Sequence, residues 1–258
     1  MNIIEAIILG IVEGVTEFLP ISSTAHLILS SRVLGLAQNE FIKSFEIIIQ
    51  LGAILSVIVL YGRPLLQKRE VWTKVAAAFV PTAVVGFALY KIIKHILFES
   101  IETILASLFL GGLFLVIVEK THTEDRAAID DVAKIAYRTA VIIGLCQALS
   151  VIPGVSRAAA TIMGGLILGI KRKTIVEFSF LLAIPTMLAA TGFDLLKSAP
   201  AFSSDQFFLL AAGFVTSFIV AMISIKFLLQ FIQNNNFILF GIYRMTLPVL
   251  WLLLAGTT

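Results

Sequence analysis

The chain has little charge. Acidic and basic residues make up 14% of it, against 59% apolar residues and a mean hydropathy of +1.03. A soluble protein needs a charged exterior that this composition cannot supply, so most of the surface must face lipid. Alternation of apolar and polar residues is also missing. Runs such as 101–118 and 136–152 do not alternate, which excludes a membrane β-barrel, whose strands alternate over roughly ten residues. Cysteine occurs once, at Cys146, and one cysteine makes no intrachain disulfide framework. No Lys or Arg precedes Arg32, so the basic start of a cleavable leader is absent and none is expected. The net charge of +3 does not argue for a nucleic-acid partner. In a membrane protein, basic residues mainly set orientation and meet anionic headgroups.

What remains is a polytopic, all-helical chain. Apolar stretches at 44–61, 74–95, 101–119, 174–196, 206–232 and 237–255 each suit one crossing of about 20 residues. Two further segments, 3–30 and 137–170, are apolar at their ends but polar in the middle, where Pro20 and Pro153 break them. Backbone that is not helical survives at membrane depth only under cover of protein or water. Both segments are therefore predicted to be re-entrant helix hairpins, giving six crossing helices plus two hairpins.

The two polar runs match each other at an offset of about 133 residues. Gly10 falls on Gly144, Glu13 on Gln147 and Thr16 on Ser150. After a one-residue slip, Pro20 falls on Pro153 and Ser23 on Ser156. Phe45 with Phe178, Ile48 with Leu181 and Gly52 with Pro185 continue the match. One membrane domain thus holds two repeats, about 1–125 and 133–258. An odd number of crossings in each makes the second upside down relative to the first, an inverted-topology repeat. Charge placement sets the orientation. One face receives Arg63, Lys68, Arg69, Lys74, Lys120, Arg126, Lys134, Arg138, Lys171, Arg172 and Lys173. The other receives only Arg32, Lys43, Lys91, Lys94 and Lys197. The richer face is expected in the cytoplasm, with both termini outside. Gln38 and Ser203 then lie outside, and Gln67 and Glu124 inside.

Polar residues inside such a chain are costly and mark a functional site by default. Glu13 and Glu17 share one helix face at a spacing of four. Two carboxylates so close repel unless a cation lies between them or one is protonated. A divalent ion held by oxygens, Mg²⁺ or Ca²⁺, would relieve them; a proton-carrying pair is the alternative. Ser22, Ser23 and Thr24 suit the start of a helix, with hydroxyls free to cap it. His26 follows Ser23 within one turn, so the two could act as nucleophile and proton-transfer partner. In the second run, Gly154 permits a tight turn and close backbone approach. The helix after it offers an anion site, to which Ser156 and Thr161 add hydroxyls and Arg157 a planar donor fork suited to phosphate. Arg157 could instead pair with Glu13 or Glu17. Acids for a metal, donors for phosphate oxygens, a hydroxyl and an imidazole are the parts of phosphoryl transfer. A site inside the bilayer suits a lipid phosphate.

These runs, EGVTEFLPISSTAH over 13–26 and PGVSRAAAT over 153–161, resemble the two signatures of bacterial undecaprenyl-diphosphate phosphatases of the bacitracin-resistance type. Phe45, Glu46, Gln50, Leu51 and Gly52 are similar to that family as well. The resemblance spans essentially the whole chain. It implies an enzyme of the bacterial inner membrane that hydrolyses undecaprenyl diphosphate, a polyprenyl diphosphate lipid, to undecaprenyl phosphate and inorganic phosphate. That step recycles the carrier for cell-wall polymers. It further implies that Glu13 and Glu17 serve a divalent cation and the diphosphate, and that Ser23, His26 and Arg157 are catalytic. Ser22, Thr24, Gly154, Ser156 and Thr161 would bind the diphosphate. Ala25 and Ala158 depart from the family's usual glycine and serine, so no catalytic duty falls on Ala158. A homodimer is compatible with the sequence. The rival reading is a transporter of lipid phosphates, because broken helices in inverted repeats are equally a transporter's signature.

Overall fold

The computed structural model describes residues 1–37, 39–66, 68–92, 100–122, 129–198 and 202–255. Gln38, Gln67, Lys94, Glu124 and Arg126, used above to place loops on opposite faces, lie outside the described residues. Among the described residues ten α-helices follow one another: α1 Ile3–Thr16, α2 Ser23–Val33, α3 Glu40–Leu66, α4 Arg69–Ile92, α5 Ile101–Thr121, α6 Tyr137–Ala148, α7 Arg157–Ile167, α8 Arg172–Ser198, α9 Ser204–Phe231 and α10 Ile238–Ala255. Helices α3, α4, α5, α8 and α9 are long and apolar enough to cross a membrane. Helix α10 is apolar but shorter, with Pro248 inside it. The order of two short helices and then three longer ones occurs twice.

Side chains start several of these helices. Asn2 accepts from Glu5 N–H at 3.0 Å while the Glu5 carboxylate accepts from Asn2 N–H at 2.6 Å, a reciprocal cap on α1. Ser203 and Gln206 repeat the device on α9. Helix α1 has 14 residues and α2 has 11, about 21 and 16 Å at roughly 1.5 Å per residue. Neither spans a hydrocarbon core of about 30 Å alone. Their junction at Pro20 and that of α6 with α7 at Pro153 are the breaks the prolines predicted.

Close helix packing holds these short pieces. Helix α1 lies along α9, and a side chain at Gly10 would sit 2.7 Å from the Gly213 carbonyl oxygen. In the second half α6 lies along α4, with Gly144 against the backbone of Ala78. Small residues bring backbones together in this way where lipid offers no hydrophobic drive. Helices α3 and α9, α5 and α10, and α3 and α8 complete the bundle. At its centre Phe18, Leu19 and Ile21 of the first break pack in one buried cluster with Ala158, Ala159 and Ile162 of α7 and Phe178, Phe180 and Leu181 of α8. The irregular backbone of the first hairpin is therefore covered by protein, as membrane depth demands.

Candidate active site at the hairpin tips

Each break enters its inner helix through a serine with left-handed backbone: Ser22 and Ser156 both have φ of 73°. Such a conformation costs a residue other than glycine on the order of 1–3 kcal/mol and persists only where the surroundings impose it. Its presence at both places shows that the tips correspond one to one. The backbone pairs Ser22 with Ser156, and Ser23 with Arg157 as first residues of α2 and α7. No slip is needed, and Ser23 is not the counterpart of Ser156. The two tips differ in their caps. Ser156 accepts from the Ala159 N–H at 3.2 Å, as a cap should. Helix α2 has no side-chain cap, contrary to the expectation for its three hydroxyls. Its first N–H groups are left free for an anion.

One carboxylate joins the tips. Arg157 Nη2 donates to Glu17 Oε1 at 2.8 Å, and Ser23 Oγ donates to Glu17 Oε2 at 2.6 Å. Arg157 Nη1 also donates to the carbonyl and hydroxyl oxygens of Ser179, at 3.0 and 3.2 Å. The alternative of an arginine paired with an acid is thus realised, with Glu17. Removing one partner of such a buried pair strands the other and costs about 3–5 kcal/mol. Among the described residues no donor reaches either carboxylate oxygen of the fully buried Glu13, whose nearest acid is Glu17, and Arg157 Nε and Arg244 Nε on α10 have no acceptor. Buried polar groups seldom go without partners, and those that do mark where a ligand or ion binds. Glu17, Glu46 and Arg157 are the charges acting on Glu13. Glu46, on α3, accepts from Ser31 at 2.7 Å.

His26 sits on the other side of Ser22. Its Nδ1 lies 2.7 Å from the Ser22 carbonyl oxygen, and its Nε2 lies 2.7 Å from the Tyr243 hydroxyl. A carbonyl only accepts, so Nδ1 carries hydrogen, and Nε2 of the neutral ring accepts from Tyr243. Ser23 points to Glu17 instead of the imidazole, so the Ser–His pair that the spacing suggested is not formed. Thr24 is half-buried in the first turn of α2. Thr161 is fully buried and shares a hydrogen with Ser179 at 2.6 Å, so it props the partner of Arg157 from behind. Gly154, at φ of 94°, lies against the backbone of Ile104, where a side chain would come within 2.6 Å of a carbonyl oxygen.

Sequence reasoning missed Arg244 on α10. This fully buried arginine donates to the carbonyls of Pro20 at 3.2 Å, Gly154 at 3.0 Å and Val155 at 2.9 Å. It therefore ties both tips by their backbones. Its neighbour Tyr243 holds His26, and Ser179 holds Arg157; neither was singled out. The signal for Arg244 was present, a lone charge in the apolar run 237–255. Nothing in a half-exposed tyrosine or a helical serine marks a site.

Fold and geometry together define a class: a multi-pass helical membrane protein with an internal polar centre where two broken-helix hairpins meet. The chain belongs to the bacitracin resistance protein BacA family, whose model matches residues 6–250. It is 50% identical to an undecaprenyl-diphosphatase of Wolinella succinogenes over 98% of both chains. Identity is 47% to the undecaprenyl-diphosphatase of Aquifex aeolicus, over 96% of both. For that of Persephonella marina it is 49%, over 98% of this chain and 99% of the relative.

Arg244→Met, which keeps the length and removes the donors, should strand carbonyls of both tips and destabilise the protein by about 3 kcal/mol or more. Thermal unfolding in detergent measures it; an unchanged midpoint would show that the tips hold without this arginine.

Proposed function

We propose that this chain is a phosphatase of the bacterial cytoplasmic membrane that hydrolyses undecaprenyl diphosphate to undecaprenyl phosphate and inorganic phosphate. It thereby recycles the lipid carrier of cell-wall synthesis and contributes to bacitracin resistance. The observation that carries the mechanism is the Glu17 carboxylate held between Arg157 and Ser23. A serine hydroxyl already donating to a buried carboxylate is placed to attack: Oγ bonds to the terminal phosphorus while its proton passes to Glu17. The bond from phosphorus to the bridging oxygen breaks, and undecaprenyl phosphate leaves. Water then hydrolyses the phosphoserine to inorganic phosphate and restores the hydroxyl. Arg157 offers its unpartnered Nε to the phosphoryl oxygens, and the free N–H groups opening α2 add donors aimed at the same charge. His26, its tautomer set by Ser22 and Tyr243, stands beside the nucleophile as a proton-transfer group.

The unpartnered carboxylate of Glu13 suits a hard cation, so Glu13 with Glu17 would hold a divalent ion, which supplies charge neutralisation to the diphosphate. Among the described residues no cluster of three acidic, histidine or cysteine side chains is available to a metal. The remaining ligands must therefore be substrate oxygens and water, a set that favours Mg²⁺ over Ca²⁺.

The inverted repeat with six crossings, α10 being the sixth, is part of the same reading. Contacts along α9 support it. Its start packs, through Leu210, with Ala6 and Leu9 at the foot of the first hairpin. Beyond its other end, Phe237 N–H donates to Glu119, which also binds Arg172 at the foot of the second. The feet then open on opposite membrane faces, the first outside and the second in the cytoplasm.

Purified protein in detergent should release phosphate from undecaprenyl diphosphate. Ser23→Ala should cut the rate at least a hundredfold, and Arg157→Lys, which keeps charge but loses the fork, by about a hundredfold. Binding of the lipid without phosphate release would favour a transporter instead.

Chelation should silence the wild type, and added Mg²⁺ should restore it. Glu13→Gln should raise the Mg²⁺ concentration needed for half-maximal rate. Full activity in chelator would leave the two acids as proton carriers.

For orientation, single cysteines in a Cys146→Ser background report the faces. Ser203→Cys should react with an impermeant reagent on intact cells, and Asp130→Cys only after permeabilisation. Reaction of both from one side would remove the inverted symmetry.

A further inference from the structure

Beside His26 a groove opens between α1, α2 and α10, enclosing about 350 Å³. Its walls are Ile8, Leu29, Val33, Leu34, Leu247 and Trp251; only Ser30 and His26 are polar. His26 is a wall of the groove and also bonds the carbonyl of Ser22, the residue before Ser23. His26 thus links the groove to the hairpin tip that carries Ser23. Val33, at its rim, is 74% exposed, so the groove opens on the outside of the protein. An apolar trough ending at an imidazole three residues from Ser23 has the polarity of a prenyl diphosphate, with the apolar stem along the trough and the charged head beside His26.

Resting on the function proposed above, the geometry points to this groove as the seat of the first isoprenoid units of the substrate. Its volume lies at the small end of ligand pockets, which run from about 300 to 1,000 Å³. It holds the stem next to the diphosphate and leaves the rest of the chain in the bilayer. Apparent affinity then rises with prenyl length until the groove is full and is flat beyond that.

The test compares KM and kcat of the wild type and three variants on undecaprenyl, farnesyl and dimethylallyl diphosphates. Leu247→Trp fills the groove and should raise the ratio of undecaprenyl to dimethylallyl KM about tenfold, the scale of a mismatch in an apolar pocket. Trp251→Ala opens the wall and should raise that ratio less. Leu253→Trp, on the 65% exposed side of α10, should leave it unchanged. Turnover of dimethylallyl diphosphate, whose single isoprenoid unit reaches least into the groove, reports folding in each variant. An unchanged ratio in an active Leu247→Trp, or equal effects on all three substrates, overturns the groove and leaves the phosphatase reading intact. A wild type that releases no phosphate from any of them overturns both.

Discussion

A buried carboxylate shared between an arginine and a serine is the constraint on which this molecule depends. Glu17 comes from the first hairpin and Arg157 from the second, 140 residues apart in the chain. Charges at that depth are tolerable only in each other's company. The pair therefore specifies how the hairpins meet as well as what they can do. The same carboxylate orients Ser23, so the bond that joins the hairpins also fixes a serine hydroxyl beside the arginine. Substrate phosphate would compete with Glu17 for Arg157, freeing the carboxylate to receive the serine proton.

The two hairpins share a left-handed serine at the tip and differ in the groups they carry. Where the first half has Glu13, its oxygens unsatisfied, the second has Gln147, whose amide donates to Thr82 at 2.8 Å and Thr186 at 3.1 Å. Gln147 thus binds α6 to α4 and α8. Likewise the first inner helix begins with Ser23 and the second with Arg157. One repeat carries acids, hydroxyl and imidazole; the other supplies the cation and much of the scaffold.

Arg244 and Tyr243, adjacent on α10, act on different parts of this centre. Arg244 neutralises backbone carbonyls that the broken helices leave without partners, a need that arises wherever a helix ends inside a membrane. Tyr243 holds the imidazole that ends an apolar groove. Helix α10 is thereby a brace for the tips on one turn and a wall of that groove on the next.

Much of this was legible in the amino-acid order. Composition alone demanded lipid as solvent, because so few charges cannot clothe a soluble chain. Pro20 and Pro153 located the breaks, since proline denies the helix a donor. The cost of Glu13, Glu17, His26 and Arg157 in apolar surroundings marked the site before any fold was known, and the two motifs gave the family. Pairing is another matter. That Arg157 takes Glu17 rather than Glu13, and that Arg244 reaches both tips, depend on contacts between segments 90 to more than 200 residues apart. Local spacing holds no record of such distances. Only packing of α1 on α9, α6 on α4 and α10 on α5 brings those side chains within hydrogen-bonding reach.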